Sequence, residues 1–151
     1  MHRAWLGLGT NMGDKNTALA QAMQHIANLS ATSIIKQSDI IETAAWGITD
    51  QPAFLNMAIE IQTTLPPGDL LNELLKIEET MGRVRTQKWG PRIIDIDILI
   101  YENIIMDTPE LTLPHPFITQ RSFVLIPLAQ IAPELLLDGK TVGEWTKVVN
   151  S

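Results

Sequence analysis

Asp95 and Asp97 flank Ile96 inside an otherwise apolar run, Ile93 to Tyr101. In a strand, alternation turns both carboxylates to one face and Ile94, Ile96 and Ile98 to the other, leaving the acids two rises of roughly 3.3 Å apart. Like charges held so near call for a counter-charge. A hard cation is one answer, since magnesium prefers oxygen ligands and two ions about 3.5–4 Å apart can share such a pair and bridge phosphate oxygens. The other is a solvated strand face with salt bridges to nearby bases. Just upstream, Arg83, Arg85, Lys88 and Arg92 put four of the eleven basic residues into one ten-residue stretch. Guanidinium forks suit phosphate oxygens. Set beside metal-binding carboxylates they are what triphosphate transfer requires, because that chemistry is mostly positioning plus charge neutralisation. Without the aspartates the stretch would read as a solvated charge run.

His115 lies between Pro114 and Pro116, which hold the backbone extended and argue against a helical or paired-metal role. It reads either as a structural histidine or, with Arg121 close behind, as a second wall of phosphate donors that works best when protonated. Trp89, next to Gly90-Pro91, suits a core position or a closing lid equally well. Two other motifs fail. In Gly7-Leu8-Gly9-Thr10-Asn11-Met12-Gly13 the last glycine falls one place too late for G-x-G-x-x-G, and no Lys-Ser/Thr follows as in a P-loop. With no G-x-S-x-G, nothing marks an activated serine.

The elements that would position these residues follow from periodicity. Arg3 to Gly9 reads as a buried strand, and Asp14 as the N-cap of a helix from about Lys15 to Asn28 with Leu19, Ala22, Met23 and Ile26 inward. Ser33 to Ile41 reads as a second strand, Thr43 to Pro52 as a loop, and Phe54 to Thr64 as a strand with Leu55, Met57, Ile59 and Ile61 on one side and Phe54, Asn56, Ala58 and Glu60 on the other. Pro66-Pro67 opens a helix that Gly82 closes, and the strand Ile93 to Tyr101 comes next. The order βαββαβ predicts an α+β ferredoxin-like sandwich, two helices on one face of a mainly antiparallel sheet. A short C-terminal extension with a third helix at Phe123 to Ile131 follows, and the region near Trp145 is left without an assignment.

The 151 residues are expected to form one domain, 1–151, around one core. The net charge of −6 disfavours general binding to nucleic acid or to anionic membranes. There is no cysteine, which excludes disulfides and thiolate chemistry. The N-terminal segment has no apolar signal region, and a cytoplasmic location is expected.

Gly82-Arg83-Val84-Arg85, Trp89-Gly90-Pro91-Arg92, Asp95-Ile96-Asp97-Ile98 and Leu111-Thr112-Leu113-Pro114-His115-Pro116, with Arg121 and Phe123 beyond, resemble the hydroxymethyldihydropterin pyrophosphokinase family. The resemblance extends from Leu6 through Phe54-Leu55-Asn56 to Glu134. It implies a ferredoxin-like enzyme, a monomer with no obligate protein partner, that transfers pyrophosphate from ATP to 6-hydroxymethyl-7,8-dihydropterin with two Mg2+ ions and releases AMP. Asp95 and Asp97 match the metal ligands, with the pterin hydroxyl activated near Asp97. Arg83, Arg92, His115 and Arg121 match triphosphate contacts, Arg83 and Arg92 acting in catalysis; Arg85 and Trp89 belong to the same nucleotide-side set. Ile98, Leu111 and Thr112 border the nucleotide, and Thr43, Trp46, Phe54, Asn56 and Phe123 match the pterin site. Aromatic faces and an amide suit a flat bicycle with an amide-like edge. Thr86, Glu110 and Pro116 stand where lysine, arginine and tyrosine can occur, the loop from Arg85 to Trp89 is one residue shorter, and Phe54 replaces a frequent tyrosine. The thinner basic lining implies weaker ATP binding than in arginine-richer members.

Two other classes share these features. An RNA-binding or small-ligand module of the same topology would need a basic, aromatic sheet face, whereas this central strand carries two aspartates. A metal-dependent phosphohydrolase or nucleotidyltransferase could use the same carboxylate pair, and the reaction product separates it from a pyrophosphokinase.

Overall fold

The structure, a computed structural model, describes residues 1–11, 13–43, 53–82 and 94–150. The chain runs β1 (His2–Thr10), α1 (Lys15–Ala27), β2 (Thr32–Gln37), β3 (Ile41–Thr43), β4 (Phe54–Thr63), α2 (Pro67–Thr80) and β5 (Asp95–Tyr101). A hairpin of β6 (Met106–Asp107) and β7 (Thr112–Leu113) follows, then a 3-10 turn (Ile118–Gln120), α3 (Ser122–Ile131), a hairpin of β8 (Leu136–Leu137) and β9 (Lys140–Thr141), and α4 (Val142–Asn150). The main sheet has the order β2-β4-β1-β5 with β3 also on β4, and every neighbouring pair is antiparallel. This is the expected ferredoxin-like arrangement, with β1 and β4 central and β5 at an edge.

Local chemistry sets the helix ends. Asp14 caps α1 by accepting the Thr17 N–H at 3.2 Å, which holds its carboxyl below the usual carboxylate range. Pro67, whose missing N–H costs nothing in a first turn, starts α2. Gly82, at φ 91°, follows its C-cap Met81 in the left-handed conformation that glycine adopts without strain.

Both helices cover one face of the sheet. Leu19, Ala22 and Ile26 of α1 and Leu70, Leu74 and Ile77 of α2 pack on Leu6, Leu8, Ile59, Ile61, Ile96 and Ile98. The opposite face is not bare. Trp5, Ala58, Leu99 and Ile100 form a second core with Leu125, Leu128 and Ile131 of α3 and with Val142 and Trp145. The C-terminal extension is therefore a third layer over one end of the sheet, and the segment near Trp145 is a helix. Under this layer Glu60, 3 % exposed, accepts the Trp5 indole N–H at 3.0 Å.

The expected strand Ser33 to Ile41 divides at Ser38. Its N–H reaches the Ala58 carbonyl at 2.9 Å and its hydroxyl accepts the Ala58 N–H at 2.9 Å, so a side chain replaces a main-chain rung and β2 and β3 part around it.

Candidate active site

Three strands carry a polar row across the second face of the sheet. Asn56 of β4 stands opposite Gly9 of β1, which stands opposite Asp95 of β5; one step along, Ala58, Gly7 and Asp97 line up likewise. The glycines put no side chain between the amide on one side and the carboxylates on the other. Gly9 has the tighter reason to be glycine: a Cβ there would stand 2.7 Å from Asn56 Oδ1, whereas one at Gly7 would meet Leu99 at 3.4 Å, an ordinary contact. Asn56 is held at its other end, where Nδ2 donates to Thr43 Oγ1 at 3.1 Å. Thr43 pairs with Phe54 across β3 and β4, so Thr43, Phe54 and Asn56 form one cluster. Trp46 lies outside the described residues.

Ile94, Ile96 and Ile98 are buried in the first core, while Asp95 is half-buried and Asp97 exposed on the opposite face. The period-two reading therefore holds. Main-chain donors on the outer side of an edge strand need acceptors, and the Ile96 N–H, midway between the aspartates, finds one in the buried Glu78 carboxylate of α2 at 2.8 Å. Glu78 was not singled out from the sequence. The available signal was its i+4 spacing from Leu74 on the apolar stripe of α2.

The open edge of β5 borders a cleft of about 240 Å³ lined by Leu71, Asp97, Ile98, Glu110, Leu111, Thr112, His115 and Pro116 among others. Asp97 thus belongs to both the second face and the cleft. A register shift helps build the second wall: Leu6 pairs with Ile98 but Trp5 with Ile100, leaving Leu99 as the extra residue of a bulge. The Leu99 carbonyl accepts the His115 N–H at 2.8 Å. His115 Nδ1 in turn accepts the Phe117 N–H at 3.3 Å, which leaves the proton of a neutral ring on Nε2. Burial, and secondarily the Arg121 charge, push its pKa below the usual value of 6.5. The lowered pKa favours that neutral form, with Nε2–H as the donor of the ring, in the free protein.

Arg121 follows as the N-cap residue of α3. Its guanidinium carbon lies 5.1 Å from the centroid of the Phe117 ring and 5.8 Å from that of Phe123. Phe117 was not singled out from the sequence, although the spacing Phe117, Arg121, Phe123 around one cation carried the signal.

The structure thus brings together Thr43, Phe54 and Asn56 on one side of the glycine floor and Asp97, Ile98, Leu111, Thr112 and His115 at the cleft, with Arg121 and Phe123 joined by their own contact. Arg83, Arg85, Trp89 and Arg92 lie outside the described residues. Among the described residues no group of three or more His, Asp or Glu forms a metal cluster. The donor set is two hard carboxylates on one strand face, and it fits magnesium, which keeps waters and takes phosphate oxygens beside one or two carboxylates.

Comparison with known proteins agrees with this geometry. Residues 5–133 match the family model described as 7,8-dihydro-6-hydroxymethylpterin-pyrophosphokinase (HPPK). A 2-amino-4-hydroxy-6-hydroxymethyldihydropteridine pyrophosphokinase of Methylorubrum extorquens is 49 % identical over 95 % of this chain and 91 % of its own. The protein of that name from Bacillus subtilis is 43 % identical over 87 % of this chain and 79 % of its own. In fold, the chain resembles the Plasmodium falciparum HPPK-DHPS crystallised with pteroate, at TM-score 0.77 and 18 % identity. That alignment covers 97 % of this chain but only 42 % of the solved one, so the chain spans less than half of that longer protein. The matched residues run from β1 through the polar row and the cleft to α3, and the chain belongs to the 7,8-dihydro-6-hydroxymethylpterin-pyrophosphokinase family, transferases acting on hydroxymethyldihydropterin in folate biosynthesis.

Proposed function

We propose that the chain transfers the terminal pyrophosphoryl group of ATP to the hydroxymethyl oxygen of 6-hydroxymethyl-7,8-dihydropterin, with Mg2+ bound at Asp95 and Asp97. The observation that carries this reading is the row Asn56–Gly9–Asp95 with Asp97 one step along. It sets an amide reader, a flat floor and an acid pair in line beside a cleft. The pterin would lie over Gly9, its amide-like edge toward Asn56 and its ring against Phe54 and Phe123. The nucleoside would occupy the cleft of Ile98, Leu111 and Thr112, with His115 Nε2–H and Arg121 directed at the phosphates.

In this pose the pterin oxygen forms a bond to the β-phosphorus while the bond from that phosphorus to the bridging oxygen of the α-phosphate breaks. AMP departs with that oxygen, and the hydroxyl proton passes to the Asp97 carboxylate and on to solvent. Bound Mg2+ would supply charge neutralisation to the phosphates and acidity to the pterin hydroxyl. Arg83 and Arg92 are proposed as the cations that meet charge developing on the transferred group, with Arg85 and Trp89 beside the nucleotide and Trp46 at the pterin.

The test is to incubate the protein with ATP, Mg2+ and the pterin alcohol, and to measure AMP and pterin diphosphate beside an Asp97→Ala control. AMP that requires the pterin and is lost in the control is the expected result. Release of ADP, phosphate or free pyrophosphate instead would overturn the reading in favour of a phosphohydrolase or nucleotidyltransferase.

A further inference from the structure

Phe117 stands outside both apolar cores and is 45 % exposed, so burial does not account for a large aromatic side chain at this position. Its contacts run toward two proposed phosphate donors. The ring lies 5.1 Å from the Arg121 guanidinium carbon on one side and meets the His115 imidazole edge-on at 5.9 Å between centroids. Its main-chain N–H occupies His115 Nδ1 at 3.3 Å. Phe123 approaches the same guanidinium at 5.8 Å. A guanidinium held by two rings keeps its plane while its N–H edge stays available for anions. An exposed arginine without such support samples many rotamers, and ordering it weakens anion binding.

We propose that Phe117 is a positioning residue for the triphosphate, its ring presenting the Arg121 guanidinium and its backbone fixing the donor nitrogen of His115, so that one residue sets both donors of this wall. The proposal rests on the ATP reading above. It makes an aromatic ring at this position a determinant of nucleotide affinity and leaves pterin affinity to Asn56, Phe54 and Phe123.

The experiment is calorimetric titration of the full chain with Mg2+ and α,β-methylene-ATP, whose bridging carbon prevents transfer, for the wild type and for Phe117→Ala, Phe117→Leu and Phe117→Tyr. The pterin alcohol is then titrated into each analogue complex, and the melting temperature of each variant is recorded. The expected result is roughly tenfold weaker analogue binding for the Ala and Leu variants. The Phe117→Tyr variant, which keeps the ring, should stay within about twofold, and pterin binding to the saturated complexes should be unchanged. Equal analogue affinity in Phe117→Ala overturns the proposal and leaves the ATP reading standing. Full rescue by leucine overturns it too, by showing that bulk and not the ring matters. A wild type that binds no analogue removes the ATP reading and this proposal together.

Discussion

At the scale of single residues, the site depends as much on missing atoms as on present ones. Gly9 leaves room for the Asn56 carboxamide, which is tethered to Thr43 by its nitrogen and has its oxygen beside the glycine. Gly9→Ala places a methyl 2.7 Å from that oxygen, and the amide must turn. Loss of one hydrogen bond to ligand is worth about 1–1.5 kcal/mol, so pterin affinity should fall about tenfold with nucleotide affinity unchanged. Gly7→Ala, whose added methyl finds an ordinary 3.4 Å contact, serves as the control. Calorimetry on the two variants checks this; equal pterin affinity for both would remove the role given to Gly9. From the sequence, Asn56 and Phe54 were placed on one face by alternation alone. Beyond the family resemblance, the glycines read in sequence only as a failed dinucleotide motif, because their use emerges from strand neighbours about 47 and 86 residues away in sequence, beyond any local pattern.

At the scale of elements, β5 is an edge strand that bears the acid pair, and α2 ties it down. Glu78 accepts the Ile96 N–H while that residue's side chain is buried in the first core. Replacing it with alanine strands the N–H in a buried setting, at a cost of about 1–3 kcal/mol in stability, and loosens the spacing of Asp95 and Asp97. Glu78→Gln keeps an acceptor oxygen. The expected outcome is weaker Mn2+ binding, read by electron spin resonance, together with a lower denaturation midpoint for Glu78→Ala, and near-normal values for Glu78→Gln. Identical Mn2+ affinity in all three proteins would sink the idea. Most elements were legible because helix caps and strand alternation are local: Asp14, Pro67 and Gly82 mark ends where the structure has them. The break at Ser38 was not, since it arises from a hydroxyl pairing with Ala58 twenty residues on. Nor was the short helix at the C-terminus, whose apolar side is defined by its packing on α3.

At the scale of the whole molecule, the sheet is a partition with two cores. Helices α1 and α2 complete the first, and the C-terminal layer completes the second over one end of the face that also bears the polar row. That layer also supplies Arg121 and Phe123, which makes its docking part of the site. Leu128→Ala, at a fully buried position of the second core, should cost about 2–5 kcal/mol. Ligand saturation should recover part of that loss, because ligands that bind only the docked state stabilise it by mass action. Thermal melts with and without α,β-methylene-ATP measure both effects. The same sheet order bears on how the chain is made. β1 is synthesised well before its partners β4 and β5, whose Ile61 and Tyr101 stand against Ala4. On a ribosome the nascent strand must wait, apolar and unpaired, until β4 has emerged, and it keeps one edge open until β5 follows. During that wait a chaperone would find its substrate in β1, well before the carboxylates it will flank have been translated.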